Sequence, residues 1–84
     1  MEKIIKGHAG SLHGNFLSIY TENDGVFDVE IKDIETQWKL YCNDVDISFQ
    51  DGKMVITDGE TSVISGVYER YKNKHELLKS FFTE

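Results

Sequence analysis

Apolar residues fall at every second position over much of this chain. Leu17, Ile19 and Thr21 alternate with polar neighbours, and so do Phe27, Val29 and Ile31 beyond a short break at Asn23-Asp24-Gly25. A period of two marks strands with one face in a core. Strands over 16–22 and 26–32, with a three-residue loop and Gly25 in the left-handed region, set Thr21 opposite Phe27, Ile19 opposite Val29 and Leu17 opposite Ile31. A two-residue Asp-Gly loop would put Tyr20 opposite Val29 and mix the faces. The outer face then carries Ser18, Tyr20, Glu22, Asp28, Glu30 and Lys32.

A second hairpin follows from the same pattern. Asp51-Gly52 suits a type I′ turn, which pairs Gln50 with Lys53, Phe49 with Met54 and Ile47 with Ile56. Its outer face shows Asp44, Asp46, Ser48 and Gln50. Between the hairpins, Trp38, Leu40 and Cys42 alternate with polar residues, which predicts a strand over 37–42. A shorter strand is expected over 2–6.

The stretch Gly7-His8-Ala9-Gly10-Ser11-Leu12-His13-Gly14 is rich in glycine and holds two of the three histidines. Its simplest reading is a four-residue loop over 7–10 that pairs Lys6 with Ser11 and Ile5 with Leu12. A bulge near His13-Gly14 would then switch the strand's parity, so that Leu12 and Leu17 share a core.

Toward the end, Asn73 with Glu76 three residues on is a capping box, and Leu77, Leu78, Phe81 and Phe82 recur at helical spacing. A helix over 74–83 is predicted. Gly66 and the β-branched residues favour a strand over 61–71. With no proline and no linker or repeat, the whole of 1–84 is expected to form one small domain. The fold class is α+β, an antiparallel meander of five to seven strands with one C-terminal helix packed on one face.

Composition narrows the function. Eighty-four residues leave room for one core and no two-lobed cleft. The single cysteine, Cys42, forms no internal disulfide, no zinc-type cluster is present, and no segment has the apolar length of an export signal or membrane span. A cytoplasmic protein without cofactor or membrane contact is expected. Net charge is −6, and its placement is uneven. Eleven acids between Glu22 and Glu60 face Lys32, Lys39 and Lys53, a balance of −8 that leaves +2 for the two ends. That middle repels phosphates, which argues against direct nucleic-acid binding and for a basic partner. Arg70, Lys72, Lys74 and Lys79 fit the solvated side of the terminal helix.

Candidate chemistry is sparse. Asp44-Val45-Asp46-Ile47-Ser48 opens like a calcium loop, but Phe49 and Val55 stand where glycine and glutamate are needed. The glycine-rich stretch lacks a phosphate-loop lysine. Nucleophilic catalysis would need Ser11 or Cys42 beside a histidine and a third orienting group. No enzyme is predicted, and no metal site.

The leading expectation is a non-enzymatic inhibitor or immunity-type module that presents an acidic sheet to a basic surface, such as that of a nucleic-acid-binding enzyme. Carboxylates two residues apart on a strand are spaced by about 6.6–6.8 Å, close to the phosphate spacing along one nucleic-acid strand. Small acidic proteins of phages and mobile elements act as DNA mimics in this way. Tyr20, Glu22, Asp28, Glu30, Asp44 and Asp46 are the partner-binding candidates, with tyrosine as an anchor among carboxylates. The alternatives are a small-ligand or metal-binding domain using His8, Ser11 and His13 with the lysines of the first strand, and a structural subunit of a homo-oligomer such as a homodimer.

Overall fold

The structure, a computed structural model, describes residues 3–82. The described chain forms seven strands and two helices: β1 (Ile5–His13), β2 (Phe16–Thr21), β3 (Val26–Glu30), α1 (Ile34–Leu40), β4 (Asp44–Gln50), β5 (Lys53–Thr57), β6 (Ser62–Ser65), β7 (Tyr68–Tyr71) and α2 (Lys74–Phe81). The antiparallel sheet and the C-terminal helix agree with the expected class, but a second helix is present. The strand order, β6-β5-β4-β1-β2-β3-β7, is also not a plain meander, because β4 returns beside β1 and β7 beside β3.

The second hairpin follows its turn residues. Gln50 pairs with Lys53, Phe49 with Met54 and Ile47 with Ile56. Asp51 and Gly52 both have positive φ, 54° and 75°, as a type I′ turn requires. The β2–β3 hairpin keeps its expected faces but slips by two residues, with Leu17 opposite Val29 and Ile19 opposite Phe27. A side chain causes the slip. Thr21 Oγ1 donates to Gly25 O at 2.5 Å and accepts from Asp24 N at 3.0 Å, while Thr21 N donates to Gly25 O. The threonine therefore closes the loop earlier than backbone turn rules alone predict.

The glycine-rich stretch is not a loop. β1 runs unbroken from Ile5 through His13, and the turn lies after it, at Gly14 and Asn15, where Gly14 takes φ 62° and His13 pairs with Phe16. The parity switch exists but sits at Gly10: Ala9 pairs with Ile19 and Ser11 with Ser18, leaving Gly10 as the extra residue of a bulge. Glu2, the expected start of this strand, lies outside the described residues.

The expected strand over 37–42 is instead mostly α1. Its buried residues are Gln37 and Leu40, three apart on one helical face, while Trp38 is 60% exposed and set edge-on to Tyr41. Gln37 explains the choice. Its Nε2 donates to Ile31 O at 2.5 Å and lies 3.3 Å from Gly14 O, satisfying carbonyls at strand ends that a strand in this place would leave open. After α1, Cys42 N donates to Ala9 O and Ala9 N to Asn43 O, carrying the chain into β4 beside β1.

The expected strand over 61–71 is two strands, β6 and β7, at opposite ends of the sheet yet joined only by Gly66 and Val67. A sheet whose two ends are that close in sequence must curl until they meet. Ser65, which is buried, holds the junction, with its Oγ 3.2 Å from Glu30 O and 2.7 Å from Val67 O. Inside the curl, Leu17, Ile19, Val29, Ile47, Met54 and Ile56 are fully buried. Phe27 of β3 reaches Phe49 of β4 across the interior, with ring centroids 6.1 Å apart.

α2 begins as its capping residues predict. Asn73 Oδ1 accepts from Glu76 N at 2.9 Å, and Glu76 Oε2 accepts from Lys72 N at 2.8 Å, one residue outside the usual box. The expected end at Thr83 lies outside the described residues. Leu77 is fully buried, Phe81 stacks on His13 at 4.6 Å, and Lys74 Nζ sits 5.5 Å over the Tyr20 ring. His13 and Tyr20 alternate with core residues and so point away from the interior. On that same side of β2 and β3, Ser18, Val26 and Asp28 are buried.

Candidate functional site

The outward side chains of β1, β2 and β4 meet in a groove of about 600 Å³, lined by Lys6, His8, Tyr20, Glu22, Asp44, Asp46 and Asp58 among others. Register brings them together. Lys6 pairs with Asp46, and His8 lies between Asp44 on one side and Tyr20 on the other. Four of the six partner-binding candidates, Tyr20, Glu22, Asp44 and Asp46, therefore share one surface, together with His8 of the alternative ligand set.

The bulge shapes the groove. A Cβ on Gly10 would lie 2.7 Å from two carbons of the Tyr20 ring, so the ring rests directly on the strand backbone where only glycine leaves room. Ser11, displaced to the same side by the bulge, places its Oγ 2.6 Å from Tyr20 Oη. Between the glycine seat, this hydrogen bond and the Lys74 ammonium over its ring, Tyr20 is fixed in position at the groove wall.

Charge in the groove is acidic but partly compensated. Lys6 Nζ lies 2.8 Å from Asp46 Oδ1, and His8 Nδ1 2.8 Å from Asp44 Oδ1. A carboxylate only accepts, so His8 Nδ1 carries the proton of that bond. The Asp58 carboxyl is held below the usual carboxylate range by backbone N–H bonds from Thr61 at 2.7 Å and Glu60 at 2.9 Å. Four carboxylates, one lysine and one histidine thus line the groove.

The other candidates lie elsewhere. Asp28, expected on the open outer face, is only 6% exposed, and Ser18 Oγ donates to it at a long 3.5 Å. Burial raises its carboxyl above the ordinary aspartate value, against the Ser18 bond, and the Glu69 charge adds to the rise while His13 opposes it. Glu30 lies opposite Phe16 and is half-buried, away from the groove. His13 stacks on Phe81, so it does not join His8. Among the described residues no three His, Cys, Asp or Glu side chains converge as metal ligands, and no hydrogen bond links Ser11 to His8 as nucleophile to base.

Lys6, Thr57 and Asp58 complete the groove, and only the turn-forming run Asp58-Gly59 hinted at Asp58. Their arrival depends on β4 returning beside β1, which no local pattern encodes. Comparisons with family models, with curated proteins and with solved structures found no match to this chain.

Proposed function

We propose that this protein is a non-enzymatic binding module whose outer groove receives a basic segment of a protein partner, in the manner of an inhibitor or immunity protein. One observation carries the reading: Glu22, Asp44, Asp46 and Asp58, from separate parts of the chain, line a single concavity with the fixed ring of Tyr20 in its wall. An aromatic anchor within a charged rim is the anatomy of a protein interface. Lys6 and His8 support it further, since each holds a carboxylate in place that a guanidinium or ammonium of the partner can exchange into. Asp44 and Asp46, two apart on β4, keep the strand spacing that imitates successive phosphates, so a nucleic-acid-binding enzyme is the partner class proposed.

The test is capture of partners from the native host at low and high ionic strength, with Asp44→Asn/Asp46→Asn alongside the unaltered protein. Capture should fall steeply with salt and with the double substitution. Partner capture that is indifferent to both salt and the substitutions sinks the proposal.

A further inference from the structure

The strand period over 37–42 predicts Trp38 in the core, but α1 carries it to the surface. Ile34 and Trp38, four residues apart and so on one side of the helix, are 63% and 60% exposed, while Gln37 and Leu40 on the other side are buried. The Trp38 ring is set edge-on against the half-buried Tyr41, with ring centroids 5.4 Å apart, so a partner has little side-chain freedom left to remove. One step around the helix, Glu35 and Lys39 form a parallel row, with Lys39 Nζ 3.4 Å from Glu35 Oε1. Charge also sets this segment apart. From 31 to 43, Lys32 and Lys39 stand against Asp33 and Glu35, a balance of zero within the acidic middle of the chain. Two copies of a protein of net charge −6 therefore meet here with little local repulsion.

We infer that the outer face of α1 is the contact through which two copies of this chain form a homodimer. The order of charges on the helix is what selects a second copy. About a two-fold axis perpendicular to the plane of the paired helices, α1 of one copy runs antiparallel to α1 of the other. That arrangement lays Ile34 of each copy against Trp38 of the other, and Glu35 of each beside Lys39 of the other. Apolar meets apolar, and each charge meets its opposite with no further residue needed. Tryptophan is among the residue types that dominate such contacts. A face of two helical turns is smaller than the ~800 Å² per partner of a standard interface, so the dimer is a weak, concentration-dependent one. No residue of α1 lines the acidic groove, and the dimer stands or falls independently of the function proposed for that groove.

Sedimentation velocity from about 10 μM to about 1 mM at physiological ionic strength tests the inference, with four variants beside the unaltered protein. These are Ile34→Lys/Trp38→Lys, Glu35→Lys, Lys39→Glu and the double reversal Glu35→Lys/Lys39→Glu. The unaltered chain should pass from monomer toward dimer as concentration rises, and Ile34→Lys/Trp38→Lys should stay monomeric throughout. Each single reversal should weaken the dimer by about tenfold, since like charges then face each other twice across the axis, and the double reversal should recover most of that loss. Such recovery is what neither a non-specific apolar contact nor a foreign partner can give. The inference is overturned by a monomer mass at every concentration, which leaves the face to a different protein, by association that persists in Ile34→Lys/Trp38→Lys, or by a double reversal no tighter than the single ones. Amide spectra that match the unaltered protein outside α1 show that the variants are folded.

Discussion

Two stretches of this chain carry the same pattern and meet opposite fates. In β3, Asp28 alternates with Phe27 and Val29; in β4, Asp44 and Asp46 alternate with Val45 and Ile47. Both patterns place carboxylates on the face turned away from the core. Asp44 nevertheless stays almost fully exposed, with 94% of its side chain accessible, while Asp28 is 6% exposed as a residue. The difference is the chain that follows. α2 returns toward the β2–β3 side, with Phe81 on His13 and Lys74 over Tyr20, whereas the β4 side keeps an open groove. A carboxylate's chemistry thus follows from what is laid over it, and alternation alone does not report that.

The comparison can be broken most severely at Leu77, the buried residue of α2. Leu77→Ala should cost about 2–5 kcal/mol in denaturant unfolding, the range for a fully buried leucine. A loss below about 0.5 kcal/mol would mean that α2 adds no core to the β3 side. Next is the helix cap. Asn73→Ala removes the acceptor for Glu76 N and should cost about 1 kcal/mol. Fraying of α2 in that variant should also bring the Asp28 carboxyl back toward its ordinary value, measurable by carboxyl-carbon NMR titration.

Asp28→Asn sharpens the contrast through pH. The folded-state value of Asp28 is raised by burial, so the native state binds this proton more tightly than the unfolded chain. Its contribution to stability is present in full below the ordinary aspartate value and is lost as pH rises through the raised folded value. The amide should therefore make the protein more stable than the unaltered chain at neutral pH, with the gain shrinking as pH falls toward 3.8. Thermal midpoints of both proteins across pH 4–7 check this, and a gain that grows in acid would refute the sign. The smallest effect is expected on the open side. Asp44→Asn/Asp46→Asn should alter unfolding free energy by less than about 1 kcal/mol, since exposed ion pairs such as Lys6–Asp46 and His8–Asp44 contribute little. A large loss would show that these carboxylates hold the sheet together and are not held ready for a partner.

Much of the frame was legible where the cause is local. Asp51-Gly52 specified the β4–β5 register because two consecutive positive φ values leave one hairpin geometry. Asn73 and Glu76 specified the start of α2 through bonds within four residues. The misreadings arise where a specific contact overrides the hydrophobic period. Thr21 moved the β2–β3 register with its own hydroxyl, which the hydrophobic pattern does not weigh. Residues 37–40 satisfied a strand period but are helical, with Gln37 bonded to the carbonyl of Ile31, six residues back, and to that of Gly14, across the fold. The glycines of β1 were read as a loop, yet Gly10 serves the approach of Tyr20 from the neighbouring strand.

The sequence by itself determined the inner faces of β2, β3, β4 and β5, the Asp51-Gly52 turn and the cap of α2, because each rests on backbone preferences and side chains a few residues apart. It also determined that the middle of the chain is acidic. Only the tertiary structure decided which acids remain at the surface, that Gly10 carries the bulge, and that β4 lies beside β1 so that Lys6, His8, Asp44 and Asp46 share a groove. Those outcomes depend on strand order and on where the terminal helix comes to rest. Both are set by the joint burial of residues far apart in the chain, which no local window contains.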